Sequence, residues 1–357
     1  MSNTFHNLAS HGDEIKVSVI VPVFNASETL SRCLEPLSVL GNTYEVIVVD
    51  DASTDSSLEI AQGFPVTVVR SDINVGPGPA RNLGVQHSSG DILLFIDADV
   101  EVQVEKVKQL IQELRDAPEY SAIFGSYDKA PQAPQLVSQY RNLLHHFVHQ
   151  QHTGEASHFW TGFAAIRASD FAILGGFSEC YYGRQIEDVE LGYRMRARGM
   201  RLRINPALQV KHLKRWTLIS MLKTDLLHRG IPWTRLILTT HCLPDDFSLS
   251  TNQRLSGVLA TQVVLFGLFS HMYSFALFFS LVFLLGFIAA CKNFLCFLAQ
   301  ARGWSFAFCC IPLHLIYYCN ACLAFACGVT IHVIDRFSSV PTTSTSEIQS
   351  DTDTQNP

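Results

Sequence analysis

The chain has 357 residues, of which 26 are Lys or Arg and 32 are Asp or Glu, so that 16% are charged against roughly a quarter in ordinary soluble proteins. Eighty residues between Arg254 and Asp335 hold only two of those charges, Lys292 and Arg302. So long an apolar stretch argues against a wholly soluble protein, because the remainder could not build a core large enough to bury it. The net charge of −6 argues against an electrostatic nucleic-acid binder.

Residues Met1 to Lys16 are polar and lack the basic stretch and apolar run of a secretory signal. The domain after this flexible start (1–15) is therefore expected to stay in the cytoplasm. Of ten cysteines only Cys33, Cys180 and Cys242 precede the apolar region, too scattered for a disulfide framework or a zinc site. Cys319 and Cys322 have CxxC spacing but no second ligand pair, and read as small side chains packing between helices.

Residues 17–23 (VSVIVPV) are the first of four short apolar runs; the others are 45–50, 66–70 and 92–97. Near-continuous apolar strands belong in a parallel sheet covered on both faces. Helical segments at 28–40, capped by Ser27, and at 56–62 alternate with them. The alternation predicts a doubly wound, mostly parallel α/β sheet, with function at the C-terminal ends of its strands. Those ends carry Pro22 to Asn25, Asp50 to Asp55, and Asp97-Ala-Asp99, and a Gly- and Pro-rich loop (72–82) leads into a helix before the fourth strand. No G-x-G-x-x-G follows the first strand, which counts against a dinucleotide-dependent oxidoreductase. Residues 101–115 predict an amphipathic helix and 120–127 a strand. The stretch 128–158 is polar and contains His145, His146, His149, His152 and His158. Lacking acidic or cysteine co-ligands at ligand spacing, it is read as an exposed or acceptor-facing loop and helix and not as a metal centre.

Lys211 to His241 interleaves basic residues with Trp216, Trp233 and leucines, and predicts helices lying in a lipid headgroup layer over 211–250. A transmembrane module is expected over 251–336, with passes at 255–271, 273–291 and 305–334. Lys292 and Arg302 would keep the linker between the blocks in the cytoplasm, giving a hairpin and a final outward pass. The tail, 337–357, is Ser/Thr-rich and expected to be disordered.

Two carboxylates at the end of a strand, as in Asp97-Ala-Asp99, repel unless a cation neutralises them, and a divalent metal holding a diphosphate would do so. Read together, VSVIVPVFNASETL (17–30), VIVVDDASTD (46–55), NVGPGPARNLG (74–84), GDILLFIDADV (90–100), WTGFAAIR (160–167), GGFSE (175–179) and EDVELGYRMRARG (187–199) resemble, in order, the inverting family 2 glycosyltransferases of the GT-A fold. The match covers roughly 16–216, with 16–210 as the expected GT-A catalytic domain. The resemblance implies that Pro22, Phe24, Glu28, Asp50 and Asp51 form the nucleotide pocket, that Gly76 to Arg81 border it, and that Gly162 lets the backbone approach the sugar. It implies further that Asp97 contacts the ribose or a Mg2+ or Mn2+ ion that Asp99 ligates, with Asp188 as general base and Glu187 positioning the acceptor. His212-Leu-Lys-Arg215-Trp216 is similar to the Q-x-x-R-W motif of membrane-integrated members, with His for Gln. There Arg215 would clamp the diphosphate, Trp216 would stack on the acceptor, and His212 would serve as a further metal ligand. The function so implied is metal-dependent inverting transfer from a nucleotide sugar, with a bias to a UDP-sugar, to a lipid or lipid-linked acceptor at the cytoplasmic face of a membrane. The alternatives are a processive polysaccharide synthase and a non-catalytic membrane scaffold.

Overall fold

The computed structural model describes residues 15–181, 185–244 and 249–338. Most of the expected flexible N-terminus and disordered tail lies outside the described residues. The first half alternates as the apolar runs demand: β1 (Val17–Val23), α1 (Leu30–Leu37), β2 (Tyr44–Asp50), α2 (Ser57–Gln62), β3 (Thr67–Arg70), α3 (Pro77–Gln86) and β4 (Ile92–Ile96). β1 has one residue that is not fully buried and β4 has none, because helices or other layers cover both faces. α1 buries Leu30, Cys33, Leu34 and Leu37, the i, i+3, i+4, i+7 stripe of a helix on a sheet. β3, β2, β1 and β4 lie side by side and parallel, so the ends of β1, β2 and β4 meet at one edge.

Beyond β4 the chain continues through β5 (Val100–Glu101), α4 (Val104–Asp116), β6 (Ala122–Tyr127), α5 (Leu136–Gln150), β7 (Gly154–Glu155), β8 (Phe163–Arg167), α6 (Ala168–Leu174), α7 (Glu187–Ala197) and β9 (Leu202–His212). The strand order is β3-β2-β1-β4-β8-β6-β9-β5, with β7 on β9. The sheet is therefore mixed: β1 to β4, β6 and β9 share one direction, in keeping with a mostly parallel sheet, but β8 runs antiparallel to both β4 and β6. Phe163–Arg167 is apolar and buried on both sides, so its composition carries no information on direction. β9 runs through the boundary expected at residue 210. A register shift interrupts its pairing with β6, which resumes at Gln209 and Val210, and its last residues cross to β5, with Val100 opposite His212 and Glu101 opposite Lys211.

The expected headgroup-layer segment forms α8 (Leu218–Lys223), a π-helical turn (Thr224–Gly230) and α9 (Ile231–Thr240), then come α10 (Thr251–Phe269), α11 (Ser274–Ala290), α12 (Lys292–Arg302) and α13 (Trp304–Ser338). α10 and α11 form an antiparallel hairpin, with Ser280 Oγ donating to the Val263 carbonyl (2.9 Å) and Asn252 to that of Ala290 (3.2 Å). At 1.5 Å per residue the 17 residues of α11 reach about 25 Å, short of a hydrocarbon core of about 30 Å. Among the described residues one helix, α13, is by itself long and apolar enough to cross a membrane; α11 and α12 pass together only as a pair bent by 66°. The three passes expected from composition are thus not three spanning helices. The linker bearing Lys292 and Arg302 is itself a helix, α12, whose Phe294 and Leu298 join Tyr140 and Leu143 of α5 in a single core with the sheet residues Leu93 and Phe124.

Candidate active site

The floor of the site is strained backbone at two strand ends. Asn25 (φ 50°) after β1 and Ala52 (φ 57°) after β2 are non-glycine residues in the left-handed region, a cost that surrounding structure must offset. Reciprocal bonds do so: Asn25 N–H donates to Ser53 Oγ (3.1 Å), and Thr54 N–H donates to Asn25 Oδ1 (2.8 Å). Asp51 accepts the N–H groups of Val75 and Gly76 at 2.8 Å each, shaping the loop that opens α3. Gly76 has φ 85°, the one conformation here that excludes a β-carbon. Pro22, Phe24, Glu28, Asp51, Gly76 and Arg81 all line one cavity. Asp50 does not: it is fully buried behind the wall, bonded to the Ser53 N–H (3.3 Å) and 3.4 Å from Arg70. It supports the loop and is not placed to touch a ligand.

The cavity's middle holds the charged groups. Arg81, 3% exposed, donates to Asp97 Oδ1 (2.6 Å) and to Glu187 Oε1 (2.7 Å). Burial opposes the guanidinium charge, and the two carboxylates more than restore it. Arg81 is therefore a buried tie between the ends of β4 and α7, and Asp97 is committed to it. Asp99 faces different partners, His212 Nε2 at 3.6 Å and Lys214 Nζ at 3.9 Å. The β5–β9 register explains the meeting, since Val100 opposite His212 puts Asp99 beside it, and Leu213 N–H donates to the Asp99 carbonyl (2.8 Å). Burial pushes the Asp99 carboxyl up, but His212 and Lys214 prevail and hold it well below the usual carboxylate range. His212 lies flat on Tyr127, with ring centroids 4.1 Å apart, and its Nδ1 bonds Asn142 Oδ1 (2.5 Å), leaving Nε2 facing Asp99.

Whether these residues suit a divalent ion can be tested on the donor set. Among the described residues no three His, Cys, Asp or Glu side chains come together as a metal cluster. Asp99 and a fixed His212 Nε2 supply an oxygen and a nitrogen on the cavity wall, a donor pair that fits Mg2+ or Mn2+ once phosphate oxygens complete the shell. Asp97, expected as a ligand, is engaged by Arg81 instead.

Glu187 and Asp188 open α7. Glu187 is buried against Arg81, whereas Asp188 is partly exposed to the cavity and accepts the Val189 N–H (2.8 Å). A helix N-terminus favours an ionised carboxylate, but burial and then the Glu187 charge outweigh it, against Arg81 and Arg229, and raise Asp188 to about 7.

Farther along, the same cavity, of about 1100 Å³, is lined by α5, α9, α10 and α13. α5 is not exposed: Asn142, His146 and His149 are buried, and Arg141, His145 and His149 form one cavity-facing stripe. Burial pushes His149 down to about 3 and also lowers His145, so both stay neutral. Trp216 lines the cavity but is 3% exposed, packed between Arg141 and Lys214 at 5.7 and 4.7 Å from its ring, while Arg215 is exposed at the rim. Gly162 does not line the cavity. A β-carbon there would lie 2.3 Å from the Trp160 ring, so this glycine makes room for the indole that does. Sequence reading missed Tyr127, Asn142, Lys214, Arg229 and the buried Arg141–Asp225 pair (2.5 Å). The α5 residues repeat at helical spacing, a signal present in the sequence; Lys214 and Tyr127 owe their place to strand register.

Residues 18–174 match the family model described as Glycosyl transferase family 2. An uncharacterized glycosyltransferase of Haemophilus influenzae is 34% identical over 141 residues, covering 36% of this chain and 48% of the relative. The poly(ribitol-phosphate) beta-glucosyltransferase of Bacillus spizizenii is 37% identical over 94 residues, covering 24% of this chain and 15% of that one. The chain thus spans under half the length of both curated relatives. In structure it is similar to a mannosyltransferase from Pyrobaculum calidifontis, solved with GDP-Man and Mn2+, at a TM-score of 0.55 and 18% identity over 87% of each chain, a likeness of fold. Residues 18–174 are therefore similar to glycosyltransferase family 2, on a GT-A-like mixed α/β core.

Proposed function

We propose that the protein transfers a sugar, with inversion, from a nucleoside diphosphate sugar to a lipid or lipid-linked acceptor at a membrane surface. The observation that carries this reading is the continuity of the cavity. It begins at the strained loops after β1 and β2, passes Asp99 and Asp188, and opens between α10 and α13 beside Val258 and Phe325, 56% and 55% exposed. An acceptor with a polar head and an apolar tail fits such a passage, and a water-soluble one leaves its apolar mouth unused.

In this reading Phe24, Glu28 and the loop held by Asp51 receive the nucleoside. Asp99 and His212 would hold a divalent ion, which when bound would neutralise charge on the diphosphate leaving group. Lys214 and Arg215 stand at that end to bind the same phosphates. Asp188 takes the proton of the acceptor hydroxyl as its oxygen attacks the anomeric carbon from the face opposite the leaving group. A base poised near 7 matches the operating pH. Arg81 holds Glu187 and Asp97 in register, so it positions the site without touching the reacting atoms.

The test is to incubate the purified full chain in nanodiscs with Mn2+ or Mg2+ and a panel of radiolabelled nucleotide sugars, UDP-sugars first, with polyprenyl-linked and glycerolipid acceptors. Released nucleoside diphosphate accompanied by label in the lipid fraction is expected. Label found only in water-soluble products would overturn the lipid-acceptor reading.

A further inference from the structure

We infer that the cavity contains a second anion site, centred on Arg229, for the phosphate that joins a lipid-linked acceptor's sugar to its hydrocarbon; the inference rests on the lipid-acceptor reading above. Arg229 belongs to the π-helical turn Thr224–Gly230, a geometry often kept at functional positions. It is partly buried and lines the cavity. Its charge acts on Asp188 of α7, on His145 and His149 of α5 and on Tyr317 of α13, so it stands where four elements converge.

The buried arginines around it are compensated: Arg81 by Asp97 and Glu187, Arg141 by Asp225. Among the described residues no carboxylate lies within 4 Å of the Arg229 guanidinium. The two histidines beside it remain neutral and cannot act as counter-ions. A partly buried cation without a partner is costly, and a bound anion removes that cost.

The order of groups along the cavity identifies the anion. Arg229 is near enough to Asp188, where a hydroxyl must arrive, for its charge to act on that carboxyl. The next residue, Gly230, packs against Ala324 of α13, the helix whose Cys322 and Phe325 line the apolar mouth. A carboxylate, then a cation, then an apolar exit matches a sugar hydroxyl, then a phosphate, then a hydrocarbon chain. The donor's diphosphate has a cation of its own, Lys214, 3.9 Å from Asp99.

The test compares Arg229→Gln and Arg229→Lys with the unmodified full chain in nanodiscs, using a polyprenyl-diphosphate saccharide and a neutral glycosyl diacylglycerol as acceptors, with nucleotide-sugar affinity measured by calorimetry. Loss of a charge-assisted contact predicts that Arg229→Gln lowers kcat/KM for the phosphate-bearing acceptor about tenfold to a hundredfold more than for the neutral lipid. Arg229→Lys should recover part of it, and the donor Kd should stay within about twofold. A parallel rise in donor Kd would assign the site to the donor's phosphates and overturn the inference. Equal losses on the two lipids, or none, would also overturn it while leaving the lipid-acceptor reading intact. If the unmodified chain transfers to neither lipid, both fall.

Discussion

The division of labour between Glu187 and Asp188 follows from one arginine. Arg81 satisfies Glu187, leaving Asp188 as the carboxylate that faces the cavity with a raised pKa. Because the base form is the deprotonated one, activity should rise with pH through about 7 and level off above it. Asp188→Asn should abolish turnover with nucleotide-sugar binding preserved. Glu187→Gln removes the like charge that helps raise Asp188, so its acidic limb should move to lower pH even as the rate falls; an unmoved limb would mean that the profile reports some other group. Asp99→Ala should eliminate transfer and weaken Mn2+-dependent nucleotide binding, without loss of expression; full activity would remove Asp99 from the metal site. The acids at strand ends were legible because strand, turn and carboxylate are all local. Asp97 and Asp99 look equivalent in sequence, and only the third dimension shows that Arg81 engages one while His212 and Lys214 face the other.

At the scale of elements, the runs at 17–23 and 92–97 announced β1 and β4 because a fully buried strand must be apolar on both faces. Strand direction was not legible for the same reason: Phe163–Arg167 is compatible with either sense, and its antiparallel insertion between β4 and β6 depends on partners distant in sequence. For α5, composition leaves an exposed and an acceptor-facing reading open, and the structure excludes the first: the helix is wedged between the sheet and α12–α13, where Tyr140 OH bonds His314 Nδ1 (2.8 Å) and Phe147 meets Phe294 with centroids 5.2 Å apart, while His145 and His149 line the cavity. α12 packs on the side of α5 away from the sheet, and Phe294, 4% exposed, touches Tyr140, Phe147 and His314. Phe294→Ala should cost about 3 kcal/mol, the range for emptying a buried aromatic site. A lowered thermal midpoint accompanied by reduced transfer would reflect the shared core; an unchanged midpoint would show that α12 is only loosely docked.

For the molecule as a whole, the proposed membrane role raises the question of which side of a bilayer Ser338 would face. Composition predicts a final outward pass, and α13, 35 residues or about 52 Å long, is ample for one. Its packing argues otherwise. His314 bonds α5, Asn320 donates to the Leu222 carbonyl (3.1 Å), Gly328 lies against Thr234 so closely that a β-carbon would meet it at 2.6 Å, and Asp335 pairs with Arg235 (2.6 Å). No interval between these contacts approaches the roughly 20 residues that a crossing requires. α13 therefore runs alongside the helix that continues from the catalytic unit, while its Phe308, Ile316, Leu323 and Ile334 stay exposed, as do Phe275, Phe278 and Leu281 of α11. A helix held to a water-exposed domain along one side and apolar on the other suits a position in the plane of the bilayer surface, with the α10–α11 hairpin entering and returning. Reporters fused at the two ends of the chain should then read the same side of the membrane, and a cysteine introduced after Ser338 should react with an impermeant thiol reagent only when the catalytic side is accessible. A C-terminal reporter on the opposite side would require α13 to leave the catalytic unit, breaking the Arg235–Asp335 and Tyr140–His314 contacts. In that event disrupting either pair by mutation would leave activity unchanged, whereas the packed arrangement predicts that separating α13 from α9 deforms the cavity mouth and slows transfer to lipid.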